Sequence, residues 1–259
     1  MMKPFKRICR IVLIVLFWIG VWWIFAWRVG KPLLFPSPLL VLERLFEMMQ
    51  TSEFYRVTAN SLFNVLWGIV IAVVGGSILS IVTTRVRLLR DAVLPIMTVV
   101  KATPVASFII LALIWIGSAK VPTFITVLIV LPVVWTNLDE GFSSIDRQLT
   151  EVARVYRFSF PRRLRVLILP SLRPYFVSAC RTSMGLAWKA GIAAEIIAMP
   201  RNSIGTMIGD AKQYIETVDM FAWTLTVILL SLIIEYAFSA VFQRLDKASS
   251  RGGGAHAKD

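Results

Sequence analysis

Histidine, cysteine and catalytic motifs are scarce in this 259-residue chain, and each shortage argues against a class of function. The one histidine, His256, lies in a Gly-rich tail, so no histidine metal cluster is indicated. The two cysteines, Cys9 and Cys180, fall beside or inside apolar runs and give no sign of a disulfide framework. Because neither H-E-x-x-H nor a comparable cluster occurs, an intramembrane enzyme is disfavoured. No metal or other cofactor is predicted.

Charge is also low, since charged residues make up 17% of the chain and hydrophobic residues 57%, with a mean hydropathy of +0.74. Such a composition is too apolar for a soluble domain and indicates several membrane-spanning helices. We predict six spans, each close to the roughly 17–25 residues that cross a bilayer. They are 11–27, 61–83, 93–116, 121–138, 174–198 and 221–243. Pro104 lies deep in the third span and should kink it.

The basic residues are unevenly distributed along the chain, which has 28 Lys and Arg against 15 Asp and Glu. With the N-terminus inside, 18 of the basic residues fall in cytoplasmic segments and 7 in outer segments. By the positive-inside rule, this asymmetry predicts a multi-pass protein of the cell membrane with both termini cytoplasmic. The net charge of +13 therefore reflects the orientation of the chain in the membrane. The predicted partner is the lipid bilayer and not nucleic acid.

Two spans carry a small residue at every fourth position, a spacing that lets helix backbones approach closely in lipid. The second span has Gly68, Ala72, Gly76 and Ser80, and the fifth has Ala179, Ser183, Ala187 and Gly191. Packing inside one subunit explains both patterns. A fifth helix that lines a pore or a dimer interface is the less favoured explanation of the second pattern, and both interpretations stay open.

A basic segment, 139–173, interrupts the apolar spans and has the features of two short helices. The run Ser143-Ser144-Ile145-Asp146 is a suitable start for the first helix, and Ser159 followed by Pro161 is suitable for the second. The first helix would expose an apolar face that fits a groove on another protein. The alternative is a helix that lies on anionic lipid, which Arg162, Arg163 and Arg165 would favour.

The segment resembles the E-A-A-x3-G-x9-I-x-L-P cytoplasmic loop of ABC importer permeases, which docks an ATPase. The residues that the resemblance assigns to ATPase coupling are Glu151, Val152, Ala153, Arg154, Arg157, Leu167, Leu169 and Pro170. Arg157 stands where the family normally has Gly. Because a left-handed residue would close the helix there and Arg pays a steric cost, we expect a displaced turn or a helix extended toward Pro161.

Further motifs in the same order are similar to the nitrate/sulfonate/taurine-type importer permeases, from about residue 35 to 240. They are Phe35-Pro36-Ser37-Pro38, Asn60-Ser61-Leu62-Phe63-Asn64-Val65, Lys101-Ala102-Thr103-Pro104, Trp115-Ile116-Gly117 and Ala187-Trp188-Lys189-Ala190-Gly191-Ile192-Ala193-Ala194-Glu195. The resemblance implies an all-α membrane protein with six transmembrane helices, the type I ABC importer permease fold and a cytoplasmic coupling helix. It also implies three partners: cytoplasmic ABC ATPase subunits, an extracytoplasmic solute-binding protein and a second permease copy in a homodimer. The chain has no G-x-x-x-x-G-K-[ST] loop, so it is not expected to hydrolyse ATP itself.

This organisation divides the chain into four parts. Residues 1–34 form an N-terminal segment with the first span, and 35–60 an outer segment with an amphipathic helix from Leu39 to Met49. Residues 61–245 form the permease core with its coupling loop 139–173. A disordered cytoplasmic tail is expected at 246–259.

Five ionisable residues fall within the predicted spans, where charge is costly and usually functional or paired. Lys101, Arg181 and Glu235 lie at a similar depth, so we expect Glu235 to neutralise one of the two bases. Lys189 and Glu195 lie further out, and for them a translocation path and simple packing remain open. A cation on the path would suit a small anionic solute of the nitrate, sulfonate or taurine type.

Two classes of transporter fit a membrane bundle with buried charges. An ATP-driven importer is favoured by the loop and the flanking motifs. An ion-coupled secondary transporter would show inverted repeats and buried acidic ion sites, which are not evident by inspection.

Overall fold

The structure is a computed structural model that describes the backbone of residues 2–253 and the side chains of residues 9–240. Within these limits every regular element is helical. The α-helices are α1 (Met2–Val29), α2 (Pro38–Met49), α3 (Ser52–Arg85), α4 (Arg87–Ala102), α5 (Val105–Ile116), α6 (Val121–Ser143), α7 (Arg147–Val155), α8 (Phe160–Arg163), α9 (Leu169–Ala198), α10 (Ile204–Gln213) and α11 (Thr217–Gly253). A 3₁₀ turn (Ser118–Lys120) precedes α6, and a π-helical turn (Leu164–Ile168) joins α8 to α9. The all-α prediction is confirmed.

Four described helical segments are long and apolar enough to cross a membrane. They are Cys9–Val29, Ser52–Arg85, Ser118–Ser143 and Thr217–Ala240, and the pair α4 and α5 would make a fifth if it forms one span. The predicted fifth span, 174–198, lies within α9, where Arg181, Lys189 and Glu195 interrupt the apolar sequence. The count of six spans is thus compatible with the structure and stays a prediction.

The third predicted span is not one continuous helix. α4 ends at Ala102, α5 begins at Val105, and their axes are bent by 105°. Pro104, which has no amide hydrogen to donate, precedes α5 and accounts for the break. The predicted kink is confirmed, but it is large enough that 93–116 is either a broken span or a re-entrant segment.

The centre of the bundle consists of α3, α6 and α9, and the small residues lie at their contacts. A Cβ on Gly68 would come 2.7 Å from Thr126 Cβ, and one on Gly191 would come 2.5 Å from Val65 Cγ2. Ala179, Ser183 and Ala187 are fully buried in the same interface region of α9. Both small-residue patterns therefore serve close packing within this chain.

The predicted amphipathic helix in 35–60 is α2. Ser37 Oγ accepts from Leu40 N at 3.4 Å to cap its start, and Val41, Leu45 and Met48 bury one face in the hydrophobic core. From the other side of α2, Arg44 donates two hydrogen bonds to Asp219 of α11, both 2.8 Å. A bidentate guanidinium–carboxylate pair thus fixes α2 to the start of α11.

At the opposite end, α11 continues to Gly253, so the predicted disordered tail is helical from 246 to 253. The remainder of that prediction, 254–259, lies outside the described residues.

Candidate functional site: the coupling loop and the membrane charges

The first helix of the coupling loop starts at the end of the predicted start 143–146, with Asp146 as the cap of α7. Asp146 Oδ1 accepts from Gln148 N at 2.8 Å, and Thr150 Oγ1 donates to the Asp146 carbonyl at 3.1 Å. The positive end of the helix dipole also stabilises a carboxylate at this position. Local hydrogen bonding is therefore sufficient to start α7 at Arg147.

The end of α7 differs from our expectation, because Arg157 adopts the left-handed conformation that the family's Gly would take. Its φ is +48°. Arg157 N donates to the Arg154 carbonyl at 3.0 Å, and Phe158 N donates to the Ala153 carbonyl at 2.9 Å. These two bonds form a Schellman motif, which satisfies the last carbonyls of the helix and offsets the steric cost. The turn is neither displaced nor extended toward Pro161.

Arg157→Gly is expected to stabilise the end of α7 by about 0.5–1 kcal/mol, because glycine adopts a positive φ without strain. Amide hydrogen exchange at Tyr156 and Phe158 should therefore slow by roughly two- to fivefold. Arg154→Gly is the matched control, since it removes the same charge inside the helix and should speed exchange. Faster exchange in both variants would contradict the strain argument.

The exposed face of α7 is apolar. Leu149 and Val152 are about half exposed, and Val155 and Tyr156 are 77% and 73% exposed. Glu151 and Arg154 are exposed beside them. A short helix with an apolar face and a charged border has the form of a helix-in-groove contact.

Ala153, which the resemblance assigns to ATPase coupling, faces inward. Its side chain is only 5% exposed and is covered by this chain itself. Its carbonyl also accepts the bond from Phe158 N that closes the helix. Ala153 thus supports the shape of the loop, and a large side chain there would disturb the loop directly.

The second half of the loop runs without a break into the membrane bundle. Ser159 precedes α8 as predicted, although its side chain makes no capping bond. Leu167 is buried, whereas Leu169 and Pro170 are exposed at the start of α9. Pro170 lies in the first turn of α9 and Pro174 lies inside the helix. Proline is tolerated in a first turn because the amide there has no helical partner.

Lys101 does not meet Glu235. Its Nζ donates to Thr136 Oγ1 on α6 at 2.6 Å. Among the described side chains, the ion pairs within 4 Å are Arg44–Glu47, Arg44–Asp219, Arg56–Glu53 and Arg90–Asp139. The predicted pairing of Glu235 with Lys101 or Arg181 is therefore wrong for this structure.

Instead, Glu235 of α11 shares a cavity of about 470 Å³ with Arg181 and Lys189 of α9. Glu235 Oε1 lies over Gly185, 3.1 Å from where a Cβ would be. Thr182 and Ser239 also line this cavity, which we call the α9–α11 cavity. Two cationic side chains against one carboxylate give its lining a net positive charge.

Glu195 is fully buried, so it lines no path in this structure. Its Oε2 accepts from Ser61 Oγ at 2.8 Å and from Gly205 N at 3.1 Å. Ser61 Oγ in turn accepts from Ile204 N at 2.9 Å. The carboxylate and the hydroxyl thus satisfy the first amides of α10, where the helix dipole favours negative charge. Packing, one of the two roles left open for Glu195, is the one that this geometry supports.

Within the described part of the chain, no three His, Cys, Asp or Glu side chains are grouped as metal ligands.

Residues 65–249 match the family described as binding-protein-dependent transport system inner membrane component. The chain is 25% identical to the taurine transport system permease protein TauC of Escherichia coli, covering 87% of this chain and 84% of that protein. It is 26% identical to the putative aliphatic sulfonates transport permease protein SsuC of Bacillus subtilis (72% and 68% covered). It is 24% identical to the riboflavin transport system permease protein RibX of Chloroflexus aurantiacus (85% and 84% covered).

Proposed function

Because the chain belongs to the family of binding-protein-dependent inner membrane components, the permeases of ABC importers, we propose that it moves a small anionic solute into the cytoplasm at the expense of ATP. Membership makes it a multi-pass transport component of the type I permease fold. We propose in addition that the chain forms a homodimer, that a separate subunit supplies the ATPase, and that both termini are cytoplasmic.

The exposed apolar face of α7 is the main observation in support of coupling to ATP hydrolysis. It occupies the loop position at which Glu151 and Ala153 match the family pattern, and this chain leaves Val155 and Tyr156 uncovered. Burying such a face in a groove of an ATPase would link ATP-driven movement of that subunit to the bundle. Glu151 and Arg154, at the border of the face, are suited to charge-assisted contacts with the same subunit.

An anionic solute is supported by the α9–α11 cavity rather than by the names of the relatives. Two of those names refer to taurine or other sulfonates and one to riboflavin, so they do not agree on one solute. The cavity, in contrast, places Arg181 and Lys189 together on one face of a membrane helix. Fixed cations in such a place attract anions, and Thr182 and Ser239 line the same space.

The test is ATP-driven uptake by the permease reconstituted with its ATPase and its binding protein, using the anion that the binding protein retains. Arg181→Gln and Lys189→Gln should each lower uptake by about tenfold, the effect of losing one charge-assisted hydrogen bond. Lys101→Gln is the control, because it lies outside the cavity and its amide can still bond to Thr136. Retention of only uncharged solutes by the binding protein, or full uptake in both cavity variants, would reject an anionic solute.

A further inference from the structure

A second cavity lies beside the coupling loop, where α3 and α6 end and α9 begins. It has a volume of about 710 Å³ and is lined by Ile81, Arg85, Phe142, Arg163, Leu167 and Leu172, among others. We call it the interfacial groove. Its volume is in the range of sites that hold small molecules, about 300–1,000 Å³.

The interfacial groove adjoins another apolar cavity of about 640 Å³, with which it shares Ile81, Phe142, Leu169 and Leu172. The second cavity continues along α9 to Phe176, and its lining is apolar except for Ser77 and Arg173. From Leu164 to Phe176 a helix rises by about 18 Å, which is comparable to the length of an acyl chain. The two cavities together therefore offer an apolar channel of the correct length along the outside of α9.

The mouth of the groove is cationic. Arg85 and Arg163 both line it, and no Asp or Glu is among the residues that line either cavity. In the described part of the chain neither arginine belongs to an ion pair, and Arg85 lies over the ring of Phe160 at 5.7 Å. An anion at the mouth would supply the counter-charge that the chain itself does not provide.

The backbone at the groove is also unusual. Leu169 N donates to the Leu164 carbonyl, which makes the turn at Leu164–Ile168 π-helical. Such wide turns occur frequently at functional sites. Arg163, directly before the turn, lines the groove, whereas Arg165, within the turn, does not.

From these features we infer that the interfacial groove binds one anionic phospholipid of the inner leaflet, with its phosphate at Arg85 and Arg163 and an acyl chain along α9. Basic pockets between membrane helices on the cytoplasmic side are suited to lipid headgroups. A soluble phosphate would leave the apolar channel unused, so the chemistry of the whole groove favours a lipid. The inference rests on the proposed orientation, which places this end of the bundle at the inner leaflet.

The test is native mass spectrometry of the purified full-length permease with phosphatidylglycerol, compared with phosphatidylcholine of the same acyl chains. Wild type should retain phosphatidylglycerol preferentially. The double variant Arg85→Gln, Arg163→Gln should bind it about 30-fold more weakly, since each basic residue near a membrane surface contributes about fivefold. Ile81→Trp, which fills the apolar channel without changing charge, should also lower retention.

Arg165→Gln is the matched control and should retain phosphatidylglycerol like the wild type. Equal loss in this control would show diffuse surface attraction rather than a site, and would overturn the inference. Equal binding of the two lipids, or unchanged binding in the double variant, would do the same, as would equally tight binding of free inorganic phosphate. Because lipid retention needs neither ATPase nor solute, failure of the uptake experiments would not be confused with failure of this one.

Discussion

Val155→Asp is expected to abolish ATP-driven uptake while the permease still folds and inserts. Val155 is 77% exposed on the apolar face of α7, so the free permease tolerates a charge there. In a complex the carboxylate would be buried without a partner, which costs about 3 kcal/mol or more. Binding of the ATPase should weaken roughly 100-fold. Co-purification of the ATPase and uptake into proteoliposomes measure the two effects.

Val86→Asp is the matched control for this substitution, because it makes the same chemical change on the same predicted side. Val86 is the cap residue of α4 and makes no side-chain capping bond, so Asp should be harmless or stabilising there. Normal ATPase binding and uptake in Val155→Asp would remove α7 from the coupling mechanism.

Labelling of Val155→Cys would test the orientation of the same helix. Cys9 is exposed and Cys180 is buried, so a Cys9→Ser background leaves no exposed native thiol among the described residues. When the permease is expressed without its ATPase, a membrane-impermeant thiol reagent should label Val155→Cys in inside-out vesicles and not in sealed cells. Labelling in sealed cells would place the coupling loop outside and overturn the proposed orientation.

The parts of the site that were predicted correctly depend on local chemistry. Asp146 caps α7 through its own side chain, and Pro104 breaks a helix because it has no amide hydrogen. The amphipathic spacing of α2 likewise gives its buried face directly. In each case the cause lies within a few residues of its effect, so the sequence contains it.

Prediction was less successful where rotation about a helix axis decides the contact. Depth in the membrane grouped Lys101, Arg181 and Glu235 but did not give the direction in which each side chain points. Arg181 and Glu235 line one cavity without forming an ion pair, and Lys101 donates to Thr136 instead. The inward position of Ala153 could not be predicted for a similar reason, because a family motif identifies a surface loop without showing which of its side chains face inward. Arg157 showed that the backbone bonds of a helix end can hold an arginine in a conformation that favours glycine.

Glu195 is the residue for which the structure changes the expected experiment most. As a path residue its loss would alter solute handling, but its carboxylate joins Ser61 of α3 to the start of α10. Oε1 has no hydrogen-bond partner among the described residues, so the bonds at Oε2 hold the group in place. Glu195→Ala is therefore expected to lower stability by about 3 kcal/mol, because Ser61 Oγ and Gly205 N would both lose their buried acceptor at about 1.5 kcal/mol each.

For a domain of this size, that loss corresponds to a fall in Tm of roughly 6–12 °C, measurable on the detergent-solubilised permease. Glu195→Gln should lose less, because an amide oxygen can still accept from Ser61 Oγ and Gly205 N. Lys189→Ala, on the exposed side of the same helix, should leave Tm near the wild-type value. If Glu195→Ala kept its Tm and lost uptake, Glu195 would act on the solute, and its burial against α10 would describe only one state of the transport cycle.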